Sequence, residues 1–166
     1  MPVSDQGYRT DRFQVVPRSL IFVFNNQGQV LLLKGSPNKK IWAGRYNGVG
    51  GHIEAGEDIL TSARRELFEE TGIEALDLHL CGQVMVEVDA LHGIAIFIFK
   101  GLYPGGELRA SEEGSLEWVD LDELTQLPLV EDLVELLPRV SDHINGDPLI
   151  IGQYHYDEGR LVMLFN

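Results

Sequence analysis

Gly51-His52-Ile53-Glu54-Ala55-Gly56-Glu57-Asp58-Ile59-Leu60-Thr61-Ser62-Ala63-Arg64-Arg65-Glu66-Leu67-Phe68-Glu69-Glu70-Thr71-Gly72-Ile73 is a glycine loop running into an acid-rich helical pattern and a glycine stop. The spacing predicts a helix over Asp58 to Thr71. At about 100° per residue, Glu66, Glu69 and Glu70 then share an arc of roughly 100°, with Leu60, Ala63 and Leu67 beside it. The apolar strip can dock on a core while the acidic strip faces a cleft. Asp58 falls at the helix start, where a carboxylate satisfies unpaired amides and the dipole. Gly72 follows the last periodic residue, as a left-handed cap does. Arg65 stands one turn before Glu69 and about two turns after Glu57, within reach of a bidentate bond to a glutamate. Gly50 and Gly51 leave backbone amides and carbonyls open to close approach by a metal or a phosphate.

On an exposed helix, like charges one turn apart cost only a few tenths of a kcal/mol, so a solvated acidic face is one reading of the three glutamates. In a cleft, at an effective dielectric near 20 and a separation of ~6 Å, each pair repels by roughly 3 kcal/mol. A cluster placed there calls for a cation. The donors are all oxygens, with no His or Cys among them, which suits Mg²⁺, an ion that pairs one or two carboxylates with substrate phosphates.

Gly51, five residues, Glu57, seven residues, then Arg65-Glu66-Leu67, Glu69-Glu70, Gly72 and Ile73 make a pattern that resembles the Nudix box. The resemblance implies an α/β fold, the Nudix α/β/α sandwich with a mixed sheet, and hydrolysis of a nucleoside diphosphate linked to another group. It implies that Glu66, Glu69 and Glu70 bind Mg²⁺ or Mn²⁺, that a glycine-loop carbonyl such as that of Gly50 also ligates, and that Arg65 orients the site. Gly51, Glu57, Arg65 and Gly72 would hold the box in shape. Water would attack phosphorus while charge on the polyphosphate is neutralised. A carboxylate must take the proton, and Glu66, Glu69 and Glu113 all stay open for that role.

Gly44-Arg45-Tyr46-Asn47-Gly48-Val49-Gly50-Gly51 resembles more narrowly the corresponding stretch of animal hydrolases of oxidised purine nucleoside triphosphates. That likeness implies that Asn47 touches a purine, with Gly51 nearby, and that Glu131 and Asp132 read the opposite edge. It also implies that Glu113 supplies a further metal-binding glutamate. An amide offers donor and acceptor together, and a carboxylic acid held neutral can donate, so an Asn and a carboxyl pair can read a purine. Two departures are a Glu-Asp pair where that group has two aspartates, and Tyr46 where it has tryptophan. The expected substrate is 8-oxo-dGTP or a related oxidised purine triphosphate, cleaved to the monophosphate and pyrophosphate. ADP-ribose, dinucleotide polyphosphates or unmodified dNTPs would use the same box, and an idle nucleotide-binding sensor is the reading from another class.

The chain has 166 residues, 44% of them hydrophobic, which suits one domain with a sizeable core. A net charge of −13 opposes long nucleic acid, whose binding needs a basic stripe. A small nucleotide neutralised by metal remains compatible. With one cysteine, Cys81, no internal disulfide forms, and the opening Met-Pro-Val-Ser-Asp lacks an apolar signal region. The longest apolar run, Ile94 to Phe99, is too short to span a membrane. A cytoplasmic monomer or homodimer without a membrane partner is the expectation.

Residues 1–17 read as a loose polar arm or an edge segment ahead of a Nudix domain over residues 18–166. Strands are expected at Ser19 to Phe24 and Val30 to Lys34, joined by a turn at Asn25 to Gly28. Arg45 to Gly50 reads as extended, and later strands lie around Leu76 to Glu87, Gly93 to Gly101 and Ser115 to Asp120. Pro104-Gly105-Gly106 marks a turn. Leu121 to Leu124 reads as a short helix, and Glu131 to Ile144 as a second helix broken or kinked at Pro138. A final hairpin, Leu149 to Tyr156 and Arg160 to Phe165, turns at Asp157-Glu158-Gly159. Trp42 is open between cleft and sheet packing, while Trp118, Cys81 and the five scattered histidines read as structural.

Overall fold

The computed structural model describes residues 2–7, 9, 11–38, 40–74, 77–109 and 111–166. Eight strands, β1 Gln14–Phe24, β2 Val30–Gly35, β3 Tyr46–Asn47, β4 His79–Glu87, β5 His92–Leu102, β6 Gly114–Val119, β7 Ile150–Asp157 and β8 Arg160–Phe165, join one mixed sheet. Its order is β3-β2-β1-β5-β4-β7-β8, with β6 paired to β2. Helix α1 (Ile59–Thr71) lies on one face and α2 (Leu133–Asp142) on the other. This is the α/β sandwich expected from the pattern.

β1 explains why two helices are needed. Leu20, Phe22 and Phe24 bury on the α2 side, whereas Ile21 and Val23 bury on the α1 side. A strand covered on both faces reads as a continuous apolar run. From α1, Ala63 and Leu67 meet Ile21, Val23 and Leu31. From α2, Leu133, Leu136, Leu137 and Val140, at helical spacing, close over Leu20, Phe22 and Ile98. Burying each such leucine contributes roughly 1.5 to 3 kcal/mol, and Leu67→Ala would cost about 2 to 5 kcal/mol with its cavity.

The sheet is divided beside the glycine loop. β2 pairs with β1 only at Val30 and Leu31, then with β3 at Leu33 and Lys34. Leaving β2, β1 bonds instead to the loop: Ile21 N–H donates to Val49 O at 2.7 Å, and Ser19 N–H to Gly51 O at 2.9 Å. Residues 46–52 therefore cross from β2 to β1 and close the seam. That approach is close enough to demand glycine at Gly50, where φ is 151° and a Cβ would collide with the Ser19 carbonyl.

Several elements differ from the sequence expectation. β1 begins at Gln14, five residues before Ser19, so residues 14–17 of the expected arm are part of the sheet. The reason is pairing: Gln14 to Phe24 run parallel to His92 to Leu102 without a break, and Pro17 loses only one donor. α2 starts at Leu133 rather than Glu131 and continues across Pro138 as one helix. Pro138 sits on its exposed side, where water can take the Val134 carbonyl that lacks an amide donor. β4 begins at His79, and Leu76, where that strand was expected to start, lies outside the described residues, as do Met1, Tyr8 and Thr10 of the arm. The last hairpin turns on Glu158 and Gly159, both at positive φ, the backbone a two-residue turn prefers. Among the described residues no helix is long and apolar enough to cross a membrane.

Candidate active site

Helix α1 is fixed at both ends by its own sequence. Asp58 accepts from the Leu60 and Thr61 amides at 2.8 and 2.9 Å, and Gly72, at φ 77°, donates to Phe68 O at 2.8 Å. Between the caps, Arg65 makes the bidentate bond that its spacing allows. Its Nε donates to Glu57 Oε1 at 2.7 Å and its Nη2 to Glu57 Oε2 at 2.9 Å. The same guanidinium reaches Glu66 at 2.8 Å, Glu69 at 3.2 Å and the His52 carbonyl at 3.0 Å. Arg65, followed by the Glu54 amide, holds the Glu57 carboxyl down to about 2. Arg65 is correspondingly held in its charged form by Glu57 and Glu66.

The glycine loop is pressed onto this helix. Gly50 N–H donates to Glu70 Oε2 at 3.0 Å, and Glu70 is buried. A Cβ on Gly51 would run into the Glu66 carboxylate. These contacts set the glutamates beside uncovered backbone.

A single cavity of about 1130 Å³ takes in most of the residues singled out from sequence. At one end lie Glu66, Glu69, Glu70, Gly50 and Gly51, with Glu112 and Glu113 from the segment before β6. Farther along the wall are Glu131 and Asp132, just ahead of α2, and Asn47 of β3 lines the cavity too, bordering Gly50 and Glu70 as well. Glu57, Arg65 and Gly72 stand behind the wall rather than in it, which suits groups that shape the site. Asn47 belongs to β3, and its Oδ1 accepts from Gly48 N–H at 2.8 Å. Asp132 takes the N-cap place of α2, yet its side chain makes no capping bond. Burial, with Glu131 adding to it, pushes the Asp132 carboxyl up to about 6.

The donor set near Gly50 is all oxygen and so suits a hard divalent ion in kind. Its side chains are already engaged, Glu66 by Arg65 and Glu70 by Gly50. Among the described residues no three His, Cys, Asp or Glu groups stand close enough to hold one ion as placed.

Among the lining residues, Trp42 takes the cleft side of the two readings open to it, and Arg18 and Tyr154 add to those read from the sequence. Trp42, at φ 60° and exposed, lies on the cavity wall, which settles its open position. Arg18 and Tyr154 line the cavity with a buried Nε and a buried hydroxyl that have no partner among the described residues. Parity along β1 could have found Arg18, because it shares a face with Leu20 and Phe22. It was hidden beside the polar residues assigned to the arm. Trp118 and Cys81 pack with the cores as expected.

The sequence model of the NUDIX domain matches residues 15–140 of this chain. The chain belongs to the Nudix family. Oxidised purine nucleoside triphosphate hydrolases are among its relatives: that of Danio rerio is 36% identical over 98 residues, 58% of this chain and 62% of its own length. That of Mus musculus is 36% identical over 107 residues, 64% of this chain and 67% of its own. This Nudix chain thus spans about two thirds or less of the length of those relatives. A crystal structure of a MutT protein from Bacillus halodurans superposes with a TM-score of 0.76 at 29% identity, covering 92% of this chain and 98% of the other. Nudix relatives named for a different substrate, NAD-capped RNA, match as well.

Proposed function

We propose that this Nudix chain is a pyrophosphohydrolase of nucleoside triphosphates, with an oxidised purine such as that of 8-oxo-dGTP as its preferred base. One observation carries the reading: a single cavity joins the glutamates and glycine loop to Asn47, Glu131 and Asp132. The likeness to hydrolases of that name supports it.

At the acidic end, Glu66, Glu69 and Glu70 would hold Mg²⁺ or Mn²⁺, with Glu113 and the Gly50 carbonyl as further oxygens. A divalent ion there supplies positive charge to the polyphosphate and makes an attacking water more acidic. Gly50 and Gly51 let the phosphates approach backbone without a side chain between. Arg65 holds Glu57, Glu66 and Glu69 from behind, and Glu66 and Glu70 would turn from Arg65 and Gly50 to take the ion. Glu66, Glu69 or Glu113 takes the proton from water. At the other end Asn47 offers a donor and an acceptor. Asp132, with its carboxyl held neutral to higher pH, can donate to a carbonyl of the base. The products are the nucleoside monophosphate and pyrophosphate.

The test is a panel of 8-oxo-dGTP, 2-oxo-dATP, dGTP, ADP-ribose and a dinucleotide polyphosphate, with Mg²⁺, scored by product and kcat/KM. The highest kcat/KM on an oxidised purine triphosphate is expected. Preference for ADP-ribose or a dinucleotide would remove the base assignment and keep the metal end. Tight binding without turnover of any of them would favour a sensor.

A further inference from the structure

The cavity extends past Asn47 over an apolar floor that the proposed function has not used. β1, β5, β4 and β7 lie side by side, so Arg18 stands opposite Ile96, while Ile94 and Val86 stand in one row with Tyr154. Ile94, Ile96 and Val86 line the cavity between Arg18 and Tyr154. Three strand spacings of ~4.8 Å make this floor roughly 14 Å wide, enough for a flat bicyclic base. Both flanking groups carry a buried polar atom with no partner among the described residues, the Arg18 Nε and the Tyr154 hydroxyl. Buried polar groups are nearly always satisfied, and a ligand meets these two atoms only if the side chains turn toward it; what lines the cavity directly is the half-buried Arg18 side chain beside the apolar floor.

Building on the proposed function, we infer that Arg18 is a specificity residue that selects purines carrying a 6-carbonyl over those carrying a 6-amino group. Arginine has five donors and no acceptor. Over this floor it pairs with a carbonyl oxygen, whereas an amino group would turn a donor toward a donor and leave both unsatisfied in a buried place. Arginine on a guanine edge is also the commonest specific pairing of a side chain with a base. Arg18 is bridged to His52 at the end of the glycine loop, yet its side chain is on the other face of β1 from α1. It shares the β1 face of Leu20 and Phe22, which carries the α2 core, while the glutamates hang from α1 on the opposite face. Its pKa is lowered, by burial alone, whereas a guanidinium among Glu66, Glu69 and Glu70 would be held up by them.

The experiment compares the wild-type chain with Arg18→Met, which keeps an unbranched stem, and Arg18→Lys, which keeps the charge but loses the planar fork. With Mg²⁺, kcat/KM is measured for dGTP, dITP and dATP, and dissociation constants of dGMP and dAMP are measured by calorimetry. Arg18→Met should lower the dGTP to dATP and dITP to dATP ratios about tenfold or more, with Arg18→Lys between it and wild type. The product affinities should move in the same sense. Equal loss on all three triphosphates would make Arg18 a phosphate contact and overturn the assignment. A lower Tm with unchanged ratios would make it a structural residue and overturn the assignment equally. Should Arg18→Met fail to fold, the Arg18→Lys ratio decides alone, and a wild-type value overturns the inference. A wild-type chain that cleaves none of these and no 8-oxo-dGTP either removes the substrate reading and this inference together. One that cleaves them indifferently to Arg18 removes only the latter.

Discussion

The two ends of the cavity are built on opposite principles. At the acidic end, one continuous stretch from Gly50 to Gly72 supplies loop, helix and caps, and nearly every polar group has a partner. Arg65 alone engages three glutamates and a carbonyl. At the base end, Arg18, Asn47, Asp132 and Tyr154 come from four elements far apart in the chain, and Arg18 and Tyr154 each leave a buried atom unsatisfied. The first end is bonded internally, and the second leaves the Arg18 Nε and the Tyr154 hydroxyl without a partner among the described residues. A phosphate and metal site gains from fixed charge, because reorganisation during the reaction is costly. A base-reading site gains from unmade bonds, because a wrong base then leaves them unmade.

That contrast breaks most sharply at Glu69. Glu69→Gln keeps the size of the side chain and removes its charge, and it should lower kcat about 10³-fold or more while the chain stays folded, as single-turnover kinetics and circular dichroism would show. A near-normal rate would show that the acidic end carries no chemistry. Next in size is Gly51→Ala. The added methyl displaces the Glu66 carboxylate, and kcat/KM should fall about 10²-fold for every nucleotide alike, with no change in the ratio between bases. A change in base preference would join the two ends functionally.

Asp132 sharpens the comparison at the base end. Its carboxyl is raised from the ordinary range to about 6. Its ionised form is therefore a cost to the folded state above pH 6, and that cost is relieved as pH falls toward the unfolded value. Asp132→Asn should raise stability at pH 8 by roughly 1 to 3 kcal/mol, with the gain shrinking between pH 6 and about pH 4. Urea unfolding at several pH values measures it, and a gain independent of pH would contradict the assignment. The smallest effect is expected at Glu57, whose carboxyl is held down to about 2 by Arg65. Its contribution is present above the ordinary carboxylate range and is lost as pH falls through the folded value. Glu57→Gln should therefore lower the Tm slightly at neutral pH and flatten the acid limb of the Tm profile. A profile that runs parallel to wild type into acid would detach the Glu57 charge from the stability of the box.

The same division decided what could be read from the chain. Asp58, Arg65, Glu57 and Gly72 act within one helix and its flanks, where spacing translates directly into contact, and each makes the bond its position suggested. Residues 14–17, read from the sequence as a loose arm or an edge segment, extend β1 because β5, some eighty positions later, pairs with them, and Pro17 masks the strand signal of Val15 and Val16. Arg18 was lost with it. Glu131 and Asp132 looked like the first residues of a helix, whereas the structure leaves them just outside α2 on the cavity wall.

The seam between β2 and β1 has one further consequence. A stretch with Gly48, Gly50 and Gly51 invites the expectation of looseness, yet Val49 exchanges backbone bonds with Ile21, and the Gly51 carbonyl takes the Ser19 amide. The ribbon therefore works as a rivet through the sheet. In deuterated solvent the amides of Ser19, Ile21 and Val49 should outlast those of surface turns by orders of magnitude, opening only when the whole domain does.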